Sequence, residues 1–433
     1  MMRRTGPVRR QRDENNDILN QPYNTANNHR LNNNQNKWDI LNNTIYQNNG
    51  YYLSATKVAN YLLDDPILDW FNLYFKQLGL NSDDILLATQ NKFINNQNMR
   101  SNFLNMYFEK GNYFESLVMD ELKKKFGCNF LMINNEGGKG VNKQNFQKTL
   151  KAMNSGVPII AQGVLFDENT KTCGMPDLLI RSDYINRITT NKCLKDEDAK
   201  IRAPKLKNNP DYHYIAVDIK WSTLHFSARG DTLLKDGRIP AYKGQLAIYN
   251  NILGNIQGYT SNYAFILGKG WKRIKTQQNK GVKTVNIFSG NNCFDRLGII
   301  DYSTGDEEYI KKTAEAIKWY QDVCVNGHTW SPLNPPNENM YPNMSNDDLV
   351  WGSVKKYIAE EIGEITQVFH VGTKERRNLH RQGIYSLKDP NCTAENMGLY
   401  REGAATDKAN KIDAILDINR DKQLFYQYFK LYI

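Results

Sequence analysis

Paired cysteines are missing from this chain. Its six cysteines, Cys128, Cys173, Cys193, Cys293, Cys324 and Cys392, are scattered and form no Cys-x-x-Cys pair. That pattern argues against a structural zinc or an iron–sulfur cluster, and it suits a reducing compartment rather than a disulfide-stapled secreted fold. Histidine is scarce as well: His213, His225, His328, His370 and His380 show no metal-ligand spacing. No run of about 18 apolar residues is present, so no membrane span is expected. The basic first residues lead into neither an apolar stretch nor a small-residue cleavage site, so no signal peptide is expected and the chain reads as intracellular.

Asparagine, by contrast, is abundant at 54 residues. With many Lys, Ile and Tyr beside it, this points to an AT-rich coding sequence rather than to a physical adaptation. The net charge of +10 and a pI near 9.0 favour a polyanionic partner. At 433 residues the chain can hold one large domain or two.

Residues 1–36 are polar, Asn-rich and carry Arg3, Arg4, Arg9, Arg10 and Arg12 before any acid, the composition of a disordered basic tail. A domain is expected over 37–330. Ser54 to Leu63 and Asp69 to Phe75 read as helices, and Asn112 to Phe126 as a longer one turning Phe114, Leu117, Val118, Leu122 and Phe126 inward. The period then changes. Ile159 to Phe166 and Met175 to Ile180 read as a hairpin, followed by a polar insertion over about 186–212 and a strand from His213 to Trp221. Helical spacing returns at Tyr242–Leu253, a strand at Tyr263–Leu267, and a long amphipathic helix at Asp306–Val325. Pro332, Pro335, Pro336 and Pro342 mark a linker opening a mostly helical region, 331–433. This order gives an α/β fold with a mixed sheet.

Three tripeptides fit acid-x-Lys: Glu121–Lys123, Asp198–Lys200 and Asp218–Lys220. Only the last lies on a strand, where alternation sends Asp218 and Lys220 to one face and Ile219 to the other. Pro-Asp occurs twice. Asp211 is seven residues before Asp218 along one strand, roughly 23 Å away and too far to share a cation. Asp177 sits on the preceding strand, within lateral reach at about 5 Å between strands. Glu115, near the start of the long helix, is one step out of register with its apolar stripe. Gln245 and Tyr249 lie four apart on one helix face, following Lys243. Two acids and a lysine on neighbouring strands suit metal-assisted phosphodiester chemistry, because carboxylates hold a hard divalent cation and the cation acidifies water.

In this order the motifs Gly111-x-x-Phe114-Glu115, Gly174-x-Pro176-Asp177, Asp218-x-Lys220 and Gln245-x-x-x-Tyr249 resemble the PD-(D/E)XK superfamily. The similar branch contains RecB-type nucleases, the lambda-exonuclease (YqaJ-like viral recombinase) group and CRISPR-associated RecB-like nucleases. The resemblance spans about residues 50–325, and the run Gly268-Lys269-Gly270-Trp271 looks like members from large DNA viruses. It implies a restriction-endonuclease-like core with a helical C-terminal addition. It implies that Glu115, Asp177 and Asp218, with the Ile219 carbonyl, hold Mg²⁺ or Mn²⁺, and that Lys220 orients the attacking water. Gln245 and Tyr249 would order the substrate strand. No iron–sulfur cluster is expected, and a homo-oligomer is expected by analogy.

Lys269, Lys272, Arg273, Lys275, Lys280 and Lys283 surround Trp271 without an acid, which reads as a basic loop able to track a nucleic-acid backbone and stack a base. Lys243 is grouped with these DNA contacts. Val371-Gly372-Thr373-Lys374, with Leu379 and Gly383-Ile384, is a partial helix-hairpin-helix pattern. The expected function is a divalent-metal-dependent DNase, an exonuclease on linear double- or single-stranded DNA. A catalytically silent DNA-binding protein of the same fold is the alternative, and an RNA-directed or structural viral protein a third reading.

Overall fold

A computed structural model describes residues 37–48, 50–75, 97–134, 140–279, 282–400 and 407–420, without side chains for 97–105, 277–279 and 282–284. The basic tail expected over 1–36, and Lys280, lie outside them. The fold is mixed α/β. Short runs of two to four residues supply the first six strands: β1 (Leu53–Ser54), β2 (Phe130–Met132), β3 (Ile159–Ala161), β4 (Leu165–Asp167), β5 (Thr172–Gly174) and β6 (Leu178–Arg181). Three longer strands follow, β7 (Tyr214–Phe226), β8 (Tyr263–Asn279) and β9 (Val282–Gly290), and then the short β10 (Gly298–Asp301).

The main sheet runs β10-β8-β7-β6-β3-β2, with β9 paired to β8 beyond this path. β7 lies parallel to β8 and antiparallel to β6, and β3 is antiparallel to β6 and parallel to β2. A smaller sheet has the order β1-β5-β4. The expected hairpin is therefore split. Its base, β3 against β6, stays in the main sheet, while its tip, β4 against β5, crosses into the small one.

Alternation sorts the strand residues between two cores. Ile160, Leu179, Ala216 and Ile266 pack under helices α4 (Ile239–Gln257) and α5 (Glu308–Asn326). Ile159, Leu178, Ile180, Ile215 and Val217 face helix α2 (Gln97–Phe126), which contributes Val118, Met119 and Leu122. Helix α2 begins at Gln97, so Gly111 lies inside it rather than opening it. Leu117, expected inward, is 47% exposed: at 100° per residue it points off the stripe that Val118 and Leu122 set.

Helix α1 (Ile67–Tyr74), preceded by the turns Ala55–Leu62, packs Trp70 and Phe71 against Trp319 and Val323 of α5. Met340, Val354 and Ile358 join this cluster from the C-terminal region, which carries helices of its own. With α3 defined as Lys143–Asn154, those are α6 (Gly352–Ile362), α7 (Thr373–His380) and α8 (Asp407–Arg420). Among the described residues no helix is long and apolar enough to cross a membrane.

Candidate active site

Antiparallel pairing of β6 with β7 sets Leu178 opposite Val217, so Asp177, one residue before β6, falls beside Asp218. The Ile219 N–H donates to Asp177 Oδ2 at 2.6 Å, tying that carboxylate to β7. Asp218 is 1% exposed and stands 3.0 Å, through Oδ2, from the Lys220 ammonium. Its Oδ1 is buried without a hydrogen-bond partner. Asp218 and Lys220 thus share a face, with Ile219 turned to the opposite core, as strand alternation requires.

Glu115 approaches from α2. It accepts a hydrogen bond from Gln162 Nε2, and Gln162 N–H in turn donates to the Asp177 carbonyl at 2.9 Å. Gln162 has φ +53°, a left-handed conformation uncommon for a residue with a side chain. It ties the end of β3 to both acids.

The charges feel one another. Burial raises the Asp177 carboxyl well above the ordinary carboxylate range; Lys220 opposes this, and Asp218 and Glu115 reinforce it. Burial likewise raises Glu115, against the pull of Lys220. For Lys220 burial works against the charged form, yet Asp218 and Asp177 outweigh it and keep the ammonium above the usual lysine range. A lysine held charged beside crowded carboxylates can offer positive charge to an electron-rich centre.

Tyr249 forms the wall behind these groups. It is 2% exposed, accepts from Gln245 Nε2 at 2.9 Å, and has its hydroxyl pushed up by burial and by Asp218. A Cβ at Gly174 would lie 2.2 Å from its ring, so glycine at 174 is what admits the tyrosine. The expected role in ordering a substrate strand is corrected for Tyr249, because a buried ring has no surface to offer one. Gln245 is half-buried beside it.

The donor set suits a hard divalent cation: carboxylate oxygens, among them an Asp218 oxygen buried without a hydrogen-bond partner. Among the described residues, however, no three His, Cys, Asp or Glu side chains converge as a metal-binding group. Each acid is turned to a protein donor instead: Glu115 to Gln162, Asp177 to Ile219 N–H, Asp218 to Lys220.

Other expected contacts fall elsewhere. Lys243 is 1% exposed and bonded to Asp306 Oδ1 at 2.5 Å, with Tyr309 over it, so its assignment to DNA is corrected: the ammonium is sealed in the α4–α5 core. The basic loop is a β8–β9 hairpin. Trp271 is packed rather than free to stack, its Nε1 donating to Asp295 Oδ2 at 3.0 Å with Arg296 against the ring. Arg273 lies over Phe288 and donates to the Arg229 carbonyl at 3.3 Å, while Lys272 is half-exposed on the hairpin. Asp211, set aside above, pairs with Arg202 at 2.5 Å on the surface. In the partial helix-hairpin-helix, Glu375 accepts the Gly372 N–H at 3.0 Å and occupies the amide a phosphate would need. Sequence reasoning missed Gln162 and Trp221. A Gln between Ala161 and Gly163, at the close of an apolar run, is the one local signal for the first.

Comparison with protein-family models, with curated proteins and with solved structures finds no match for this chain.

Proposed function

We propose that the chain is a divalent-metal-dependent deoxyribonuclease with a restriction-endonuclease-like core, acting as an exonuclease in DNA recombination, repair or defence. The observation that carries this reading is the buried cluster itself. Asp177, just before β6, stands beside Asp218 of β7, Lys220 is held charged against Asp218, and Glu115 is brought in from a helix. The four motifs in one order and the net charge of +10 support the same reading.

Asp177, Asp218, the Ile219 carbonyl and Glu115 would hold Mg²⁺ or Mn²⁺. Such an ion, when bound, lowers the pKa of water and neutralises phosphate charge. Lys220 orients the attacking water and adds compensating charge at the phosphoryl oxygens. Tyr249 keeps bulk water from the rear of the cluster.

The test is digestion of linear and closed circular DNA with Mg²⁺, Mn²⁺ or EDTA, using wild type, Asp218→Ala and Lys220→Ala. Cutting of linear DNA alone, lost in EDTA and roughly 10²–10³-fold weaker in both variants, is expected; the scale is that of losing one preorganised charge partner. Full activity in folded Asp218→Ala sinks the proposal. Cutting of circles as well would add endonuclease capacity.

A second reading, a catalytically silent DNA-binding protein, draws on the engagement of every acid by a protein donor. Calorimetric titration separates the two, since a silent protein takes up no Mg²⁺ or Mn²⁺.

A further inference from the structure

Immediately after Lys220, strand β7 turns Trp221 toward helix α2. There the ring meets Tyr107 edge-on, with centroids 5.5 Å apart. Two ammonium groups flank the same indole: Lys269 of β8 at 4.2 Å from its centroid and Lys110 of α2 at 5.5 Å. Tyr107 is 40% exposed, and Trp221 is half-buried. Among the described residues neither lysine is in an ion pair. An irregularity in the β7–β8 register between Lys220 and Thr223 marks the place. Gly268 permits it, because a Cβ there would lie 2.8 Å from the Ser222 carbonyl.

The patch adjoins the acid cluster on two sides. Along β7, Trp221 is the neighbour of Lys220, whose ammonium lies 5.1 Å from the Tyr242 ring. Along α2, Tyr107 and Glu115 are eight residues apart, about two turns or roughly 12 Å on one side of the helix. Partly exposed aromatic rings flanked by lysines suit a chain of flat π-systems joined by phosphates. In a duplex those base faces are covered by their neighbours, so the matching ligand is an unpaired strand.

We propose that Trp221, Tyr107, Lys110 and Lys269 form a stacking platform that grips a single-stranded stretch of polynucleotide beside Lys220. It deepens the nuclease reading and rests on it for the direction of the strand, though its binding test does not need cleavage.

The experiment is fluorescence anisotropy with end-labelled oligo-dT, oligo-rU and a blunt duplex of equal length, all in EDTA. Trp221→Ala is expected to weaken oligo-dT binding about five- to 150-fold, the range for one base–aromatic stack. Tyr107→Ala and the Lys110→Ala/Lys269→Ala pair weaken it in the same direction. Trp221→Phe, which keeps a ring and guards against misfolding, stays nearer wild type, and duplex binding changes little in the three aromatic variants. Equal losses on oligo-rU would extend the platform to RNA strands; a smaller loss would restrict it to DNA. Wild-type affinity for oligo-dT in both Trp221→Ala and Tyr107→Ala overturns the proposal, as does an equal loss on duplex. Asp218→Ala separates the two ideas. If it still cleaves, the nuclease reading fails while the anisotropy result still decides the platform.

Discussion

Gln162 is the residue on which the site's geometry turns. Its backbone is held at φ +53°, a cost of about 1–3 kcal/mol for a residue with a side chain, and its amide reaches Glu115. Strain of this kind persists where the surroundings impose it. Here the Gln162 N–H to the Asp177 carbonyl and the close of β3 do so. Under the proposed function the side chain would act through Glu115, as a positioning residue. Gln162→Ala and Gln162→Gly are expected to lose a similar 10–100-fold in divalent-ion affinity, the usual cost of removing a partner that orients a ligand. The glycine variant should melt no lower than the alanine variant, because it accepts positive φ freely. Calorimetric Mn²⁺ titration and thermal melts check both, and unchanged ion affinity would reduce Gln162 to a backbone role.

At the scale of elements, helix α1 carries an unusual burden. Asp69 is 3% exposed inside it and accepts from Asn60 Nδ2 at 2.8 Å and Trp319 Nε1 at 3.1 Å. Burial outweighs those donors and pushes its carboxyl up to about 7. The folded state therefore holds this proton more tightly than the unfolded chain, whose carboxyl titrates near 3.8. The resulting stability is fully present below about pH 4 and is lost as pH rises through about 7, up to about 4 kcal/mol. Asp69→Asn should flatten that part of the profile, lowering stability at acid pH, where one of the two donors loses its acceptor, and sparing the variant the loss that ionisation causes above about pH 7. Urea denaturation at pH 5 and pH 8 reads the difference, and an unaltered slope in the variant would locate the titration elsewhere.

Across the whole molecule, the C-terminal region is joined to the N-terminal helices by buried charge. Lys355 of α6, 1% exposed, bonds Asp65 Oδ2 at 2.5 Å and the carbonyls of Asn343 and Asn346 at 2.7 Å each. Arg376 and Glu364 form a second such pair at 3.0 Å within that region. Removing one partner of a buried pair leaves an uncompensated charge, at about 3–5 kcal/mol. Lys355→Met should cost that much in chemical denaturation, and adding Asp65→Asn should restore part of it. If the single variant costs under about 1 kcal/mol, the joint is held by the apolar contacts of Trp70, Val354 and Ile358 alone.

Local pattern was enough for the strand elements around the acids. Alternation in Tyr214–Lys220 put Asp218 and Lys220 on one face, and their apolar neighbours left those two positions as the chemical ones. The same reasoning separated Asp218 from the acids at 121 and 198, which lie on a helix and in the insertion. It failed where side-chain direction depends on distant partners. Lys243 has the composition of a surface contact and is sealed by Asp306, 63 residues on. Trp271 looked free and is fixed by Asp295, whereas Trp221 gains its lysines from α2 and β8. Gln162 carries no periodic signal because its conformation is imposed by pairing with β6 and by Glu115, 47 residues earlier. Sequence alone determined which residues could carry charge and which faces were apolar, since those follow from residue type and period. Only the tertiary structure decided which charges meet, because that depends on which elements the sheet order brings side by side.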